Sequence, residues 1–335
     1  MSKWYIGQGK DGDVVLSTRV RLARNVTDYP FVEKLDDERR MQLNEKIRDV
    51  ILPLDTKFSF IEMKSLTDTQ KISMVERHLI SPEYTTAPNG RALILSDDED
   101  VSIMLNEEDH IRLQVMEAGF ALEEAYEKAD RIDNELSSKL NIAFDERLGY
   151  LTQCVTNLGT GMRASLMLHL PALTKQGVIS RLASTVSKLG LTIRGAYGEG
   201  TSHTGDIYQL SNQITLGISE KEALTNLASI AKQIIQQERN ARKELTQNDD
   251  FVDSIWRAFG LLKFARKMSC AEFMQLISLV RVGVSQNILD VDVEKINELT
   301  VSLQPATINA RHKENFTAAK RDAVRAKEIR EALGG

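Results

Sequence analysis

The chain has 335 residues, 42% hydrophobic and 27% charged, with a formal net charge of −5. These values describe a globular protein with a sizeable core, too acidic overall for non-specific nucleic-acid binding and without an apolar run long enough to span a membrane. Two cysteines, Cys154 and Cys270, exclude a disulfide scaffold, and Met1-Ser2-Lys3-Trp4 opens no signal-peptide core, so a reduced, cytoplasmic setting is expected.

In chain order, residues 13–21 read as a strand in which Arg19 and Arg21, two apart, face the same way. Residues 36–52 read as a helix with acidic residues near its start, and residues 65–78 as another. Residues 91–96 and 101–106 read as strands around Asp97-Asp98-Glu99-Asp100, a solvated hairpin turn that lacks the spacing of a calcium loop. Residues 118–141 form an amphipathic helical pattern. A strand over 150–156 enters the glycine-rich turn of Asn157-Leu158-Gly159-Thr160-Gly161, and residues 161–173 read as a helix ending near Pro171. A helix over 178–189, a strand over 191–194, a glycine-rich loop over 195–205, a strand over 207–216 and a helix over 220–245 follow.

The polar run Thr246-Gln247-Asn248-Asp249-Asp250 marks a boundary. Beyond it the pattern is helical over 251–264, 271–282, 291–303 and 313–333. Residues 1–245 mix strands and helices without a βαβ rhythm, which predicts an α+β fold with a mostly antiparallel sheet. Residues 251–335 are expected to form an all-helical C-terminal domain. Phe264, Phe273 and Ile277 suggest more apolar surface than one thin bundle buries, and with it a homodimer or higher oligomer.

Chemistry concentrates in four segments. Arg19, Arg21, Arg112, Arg163 and Arg194 sit at strands, strand ends or turns, and the planar fork of arginine suits phosphate oxygens. Taken singly, each is equally an arginine paired with a surface carboxylate. No G-x-x-x-x-G-K-[ST] segment is present, nor the H-R-D and D-F-G segments of ordinary protein kinases. Glu107 and Glu108 follow an apolar strand, Glu199 lies in the glycine-rich loop, and Cys154 precedes the glycine turn. A guanidinium, with a pKa above about 12, attacks phosphorus only if a carboxylate orients it and takes a proton. Carboxylates with a thiol could hold such a cation, although Cys154 alone also fits a small buried hydrophobe. The combination suggests phosphoryl transfer from a nucleotide to a guanidinium. Magnesium would accompany the nucleotide phosphates; no protein metal site is visible, and no Cys/His cluster has zinc-ligand spacing.

Asn106-Glu107-Glu108-Asp109-His110-Ile111-Arg112 and Asn157-Leu158-Gly159-Thr160-Gly161-Met162-Arg163 resemble the signature segments of the guanidino (phosphagen) kinases, over about the first 240 residues. The resemblance implies Glu108 as catalytic base, with Glu107 beside it, Cys154 as the active-site thiol and Glu199 as the second substrate carboxylate. It implies ATP contacts from Arg19, Arg21, Arg112, Arg163 and Arg194, with Ser17 opening their first segment. It also implies a sheet flanked by helices, with ATP and Mg2+ as cofactors. That family carries a small helical domain ahead of the arginine pair. Here Arg19 comes early, so an open acceptor site suited to a side chain on a protein is expected. Val155 departs from the family, which usually has proline after the cysteine; Thr156 remains available to hydrogen-bond the thiolate.

Arg321-Asp322-Ala323-Val324-Arg325-Ala326 resembles the R-D-x-x-R-A motif of bacterial protein-arginine kinases, a phosphoarginine-binding motif. Arg321 and Arg325 are one helical turn apart, a spacing that also belongs to any solvated amphipathic helix. The resemblance implies protein substrates with exposed arginines and a small zinc-binding activator protein of the McsA type. It further implies marking of proteins for the Clp ATPase and protease, and inactivation of a heat-shock repressor. Neither direct nucleic-acid nor membrane binding is expected. Two alternatives remain: a kinase for a small guanidino metabolite, and a phosphoarginine-binding adaptor.

Overall fold

A computed structural model describes residues 3–87, 89–196 and 204–334. Among these, eight strands form one sheet in the order β2-β3-β4-β5-β1-β8-β10-β9. The strands are β1 (Val15–Arg24), β2 (Phe58–Glu62), β3 (Ala92–Ser96), β4 (Val101–Leu105), β5 (Ile111–Ala118), β8 (Met162–His169), β9 (Leu191–Gly195) and β10 (Ile207–Asn212). Every pairing is antiparallel. A short hairpin of β6 (Phe144–Asp145) and β7 (Gly149–Tyr150) stands apart from the sheet.

Side-chain alternation gives the sheet two unlike faces. Val20, Leu22, Ile111, Leu113, Ala164, Leu166 and Leu210 point into the main core. Helices α1 (Asp37–Ile51), α3 (Leu122–Lys139), α4 (Pro171–Lys175), α5 (Ile179–Ser187) and α6 (Glu220–Leu245) supply residues to the same core. Arg24 also points inward and is buried. Its Nη2 donates to Asp133 on α3 at 2.8 Å, its Nη1 to the carbonyls of Ala23 and Thr160, and its guanidinium lies 3.4 Å from the Tyr150 ring centre. This fixes the end of β1 against the glycine turn; a buried charge is tolerated only when paired in this way.

The opposite face is covered at its two ends. Leu93, Leu95 and Met104 pack with Met74 of α2 (Asp68–Glu76) in a small separate core. Met167 and Ile207 join a third core made mainly by α7 (Asp249–Phe264), α8 (Cys270–Ser285), α9 (Val293–Ser302) and α11 (Ala318–Leu333), to which α10 (Pro305–His312) adds Ile308. Glu76 of α2 caps α10, accepting from the amides of Ala306 and Thr307 at 2.9 and 2.7 Å. Between the covered ends lies a polar middle, where the arginines stand.

Several elements differ from the sequence-based expectation. Residues 161–173 contain strand β8 rather than a helix. Met162-Arg163-Ala164-Ser165 is compatible with either, and pairing on both sides, with β1 and β10, decides it. The helix expected over 118–141 starts at Leu122, after strand β5 and a turn at Gly119, whose φ of +65° suits glycine. Only Gly149–Tyr150 of the 150–156 strand pairs, and a 3-10 turn over Val155–Asn157 follows. β2 was not anticipated, α2 is shorter than 65–78 because a Thr67/Gln70 capping box starts it late, and the last helical stretch breaks at Lys313, where φ is +54°. The acidic turn is not solvated: Glu99 is buried and bonded to Lys3 and Arg77, while Asp100 pairs with Lys128. Phe273 and Ile277 lie inside the C-terminal core, while Phe264 is exposed.

Two buried histidines give stability a pH dependence. His110 accepts from the Val26 amide at Nδ1 and meets the Pro30 carbonyl at Nε2; His169 accepts from Arg242 at Nδ1 and meets Ser278 at Nε2. Each ring is thus used as the neutral tautomer with its proton on Nε2. Burial lowers the pKa of His110, and burial with the Arg242 and Arg281 charges lowers that of His169 much further. Below about pH 6.5 the unfolded chain binds protons that the folded chain refuses. Stability is therefore full above that pH and declines below it, by up to about 1.4 kcal/mol per pH unit per histidine. Thermal midpoints should drop steadily from pH 7 to 5; a flat profile would contradict the assignment.

Candidate active site

The sheet register assembles the anion side. Arg21 of β1 lies directly opposite Arg163 of β8, and Ala23 opposite Arg112 of β5. Arg19 lies opposite Ser165, and Arg194 of β9 opposite Gln209 of β10, which in turn faces Met167 and, across β8, Ser17. All these positions share one face, so five arginines come to a single surface. Like charges opposite one another across strands are destabilising, and nothing in the fold requires them here. Burial together with Arg19, Arg112 and Arg163 drives the Arg21 pKa well below its ordinary value, and burial with Arg112 lowers that of Arg19 to about 10. Arg19 donates to Gln209 at 2.8 Å, leaving its buried Nε without a partner. This is an electrostatic demand for an anion with several oxygens.

The acceptor side stands at the β4–β5 turn. Asn106 adopts φ +60° and is fully buried, its amide donating to the Asn44 side chain at 2.8 Å and the Gly90 carbonyl at 3.0 Å. That anchor presents Glu107 and Glu108 to Arg112, with contacts of 2.7 Å to Glu107 and 3.1 Å to Glu108. Ser81 donates to Glu107 at 2.7 Å. Asp109, fully buried, accepts from the Asn25 side chain and the Gln153 amide, tying the carboxylate turn to the segment that carries Cys154. Burial raises the Asp109 pKa.

Cys154 Sγ lies 3.0 Å from Thr156 Oγ1, and Thr156 Oγ1 also accepts from Arg163 at 3.1 Å. Asn157 bridges the halves, accepting from Arg163 Nε at 3.1 Å and donating to Glu108 at 3.5 Å. Burial lowers the Arg163 pKa, with the charge at Cys154 opposing that shift. Arg21, Arg112, Arg163, Glu108 and Cys154 line one open cleft of about 580 Å³. Cys154 stands at its edge, so stoichiometric labelling with a thiol reagent is expected to abolish activity by filling the cleft. Retained activity after mass-verified labelling of Cys154 would refute that placement.

Arg19 and Arg194 share this face but not the lining of the cleft, and Ser17 is buried in the sheet. Glu199 lies outside the described residues. Gln209, Asn157, Ser81, Asp109 and Asn25 were not singled out from sequence. All but Asp109 are uncharged, and their roles emerge only from register and turn geometry.

Arg321, Asp322, Arg325 and Ala326 lie elsewhere, on α11. Arg325 and Ala326 are buried; Arg325 donates to the carbonyls of Leu303 and Met268 at 3.0 and 2.9 Å and to Asp322 at 2.8 Å. Arg321 donates to the Phe316 carbonyl at 2.7 Å, and both it and Asp322 remain partly exposed. No group of three or more acidic, histidine or cysteine residues suited to a metal occurs among the described residues, and no helix there is long and apolar enough to cross a membrane.

Comparison with known proteins agrees with this geometry. Residues 42–241 match the ATP:guanido phosphotransferase C-terminal catalytic domain, and residues 248–335 match the protein-arginine kinase McsB C-terminal domain. A protein-arginine kinase of Caldanaerobacter subterraneus subsp. tengcongensis is 46% identical over 325 residues, covering 95% of this chain and 96% of that one. Another from Halothermothrix orenii is 41% identical, covering 99% and 97%. Among solved structures, the duplicated taurocyamine kinase of Schistosoma mansoni with bound transition-state-analogue components superposes with a TM-score of 0.61 at 32% identity. The match takes in 68% of this chain and 33% of that one, so the chain spans about a third of that duplicated protein. A lombricine kinase gives a TM-score of 0.61 at 25% identity, covering 70% and 68%.

Proposed function

Since this chain belongs to the protein-arginine kinase family of ATP:guanido phosphotransferases, we propose that its arginine face binds the triphosphate of ATP while Glu108 and Cys154 receive the guanidinium of an arginine in a protein. The observation that carries this is the pairing, in one cleft, of Arg21, Arg112 and Arg163 with Glu108 and Cys154.

The chemistry follows from those neighbours. A guanidinium nitrogen attacks the γ-phosphorus, the bond to the ADP oxygen breaks, and the nitrogen's proton passes to the Glu108 carboxylate. Arginine forks offset the charge that spreads over the moving phosphoryl oxygens. Glu107 and Glu108 together fix Arg112 from two sides, so its donors are oriented before the nucleotide arrives. Magnesium fits as part of the nucleotide substrate, bound to phosphate and water, because this cleft offers donors rather than a set of spare carboxylates. Glu199 is the second carboxylate by resemblance.

Arg321 and Asp322 are proposed to meet phosphoarginine, with Arg325 and Ala326 forming the pocket wall. The same reading extends to a zinc-binding activator of the McsA type, delivery of marked proteins to a Clp protease, control of a heat-shock repressor, self-association and a cytoplasmic location. The discriminating experiment is ADP release with an arginine-bearing protein against free arginine. Release driven by the protein supports the reading; release driven only by free arginine would move it to a metabolite kinase.

A further inference from the structure

Four exposed apolar side chains stand beside the cleft, and no step above uses them. Val155, next to Cys154, is 79% exposed; Phe144 is 58%, Leu216 48% and Leu148 43% exposed. Backbone contacts hold them in one neighbourhood. Thr215 Oγ1 donates to the carbonyls of Thr156 and Leu158 at 3.1 and 2.7 Å, which lays Thr215 and Leu216 against the turn after Val155. A Cβ on Gly159 would lie 2.7 Å from the Leu216 Cα, and one on Gly149 would lie 2.3 Å from the Gly159 carbonyl oxygen. Glycine at both positions lets the β6–β7 hairpin close up on that turn, bringing Leu148 with it. Phe144 packs edge-on against Tyr150 with ring centres 5.2 Å apart. A Cβ on Gly161, which lines the cleft, would lie 3.6 Å from the Tyr150 Cβ.

We propose that Phe144, Leu148, Val155 and Leu216 form an apolar rim that receives aliphatic or aromatic side chains flanking the target arginine of a protein substrate. The inference rests on the protein-acceptor reading of the cleft. It commits to that occupant because the rim is continuous with the cleft, through Val155 beside Cys154 and Tyr150 beside Gly161. An arginine whose guanidinium reaches Glu108 leaves its backbone at the cleft mouth, and neighbours one or two positions away lie roughly 3.5 to 7 Å along the chain. They therefore land where these side chains are exposed. Apolar exposure of this kind beside a binding site is a mark of recognition rather than of folding.

The test uses the full chain and two peptides with one arginine each, flanked on both sides by Leu and Phe or by Ser and Gly. Peptide affinity and turnover are measured for the wild type and for the Leu148→Ser, Leu216→Ser double variant, whose exposed positions tolerate the change. The wild type should favour the apolar peptide about tenfold, chiefly through affinity, as partial burial of a few methylenes gives. The double variant should lose that preference while handling the Ser/Gly peptide unchanged. Equal handling of both peptides by the wild type overturns the rim and leaves the protein-acceptor reading intact. A change of oligomer size in the variant by light scattering, with the preference retained, assigns the patch to contact between copies and overturns it too. Binding and turnover of neither peptide overturns the protein-acceptor reading itself.

Discussion

Replacing Glu108 with alanine should lower phosphoryl transfer by roughly 10² to 10⁴ while leaving nucleotide affinity little changed. The nucleotide is held by arginines on the sheet, and Arg112 keeps its 2.7 Å contact with Glu107 when Glu108 is removed. What is lost is the group that holds the guanidinium and accepts its proton. A Glu108→Gln variant sharpens the test, since it keeps hydrogen bonding and size but cannot take a proton at neutral pH. Both variants should fold with near wild-type thermal midpoints, because Glu108 is exposed enough to leave no buried group unpaired. Turnover near the wild-type rate in either variant would remove Glu108 from the chemistry.

The second large effect is expected at Arg21. It lies opposite Arg163 and within reach of Arg19 and Arg112, and its charged form is strongly disfavoured in the free protein. Methionine keeps the apolar stem and removes the charge. Arg21→Met should weaken nucleotide binding by about 10- to 100-fold, since charged hydrogen bonds are worth about 1.5–3 kcal/mol. The same substitution should raise the thermal midpoint of the nucleotide-free protein, because like-charge repulsion across β1 and β8 is relieved. Opposite signs for affinity and stability are the signature of a residue kept for its ligand. A lowered midpoint would instead make Arg21 a structural residue. Titration with ATP should stabilise the wild type much more than the variant.

The two kinds of residue at the site differed in how readily they could be read. Arg19 and Arg21 announce a shared face by their spacing in a strand, and α6 was legible to its ends because a Ser219/Glu222 capping box opens an amphipathic run. β8 was not, because Ala164-Ser165-Leu166-Met167 suits a helix as well as a strand. Only its position between β1 and β10 settles the matter, and with it the facing of Arg163 toward Arg21. Asn157 and Gln209 carry no charge and no motif of their own. Their roles arise from a 3-10 turn and a strand register, which are long-range outcomes. Arg24 shows the converse. It continues the alternation of arginines in sequence, yet its position one residue out of phase sends it into the core to meet Asp133.

The helical C-terminal region also proved less separate than the polar break at 246–250 implied. Met167 and Ile207 of the sheet sit in its core, and Arg242 of α6 donates to Ser285 of α8 at 3.1 Å. Ser278 of α8 meets His169 and donates to Asp206, at 2.9 and 2.7 Å, directly before β10. A hydrophobic pattern marks where helices lie, and does not reveal which sheet positions they cover.

The central claim is tested most directly by incubating the chain with magnesium-ATP and an arginine-bearing protein, then locating the phosphate by mass spectrometry under neutral handling that preserves the acid-labile P–N bond. Phosphate on arginine side chains, lost in Glu108→Ala, is the predicted result. Phosphate on serine, threonine or tyrosine alone, or transfer that survives loss of Glu108, would contradict it.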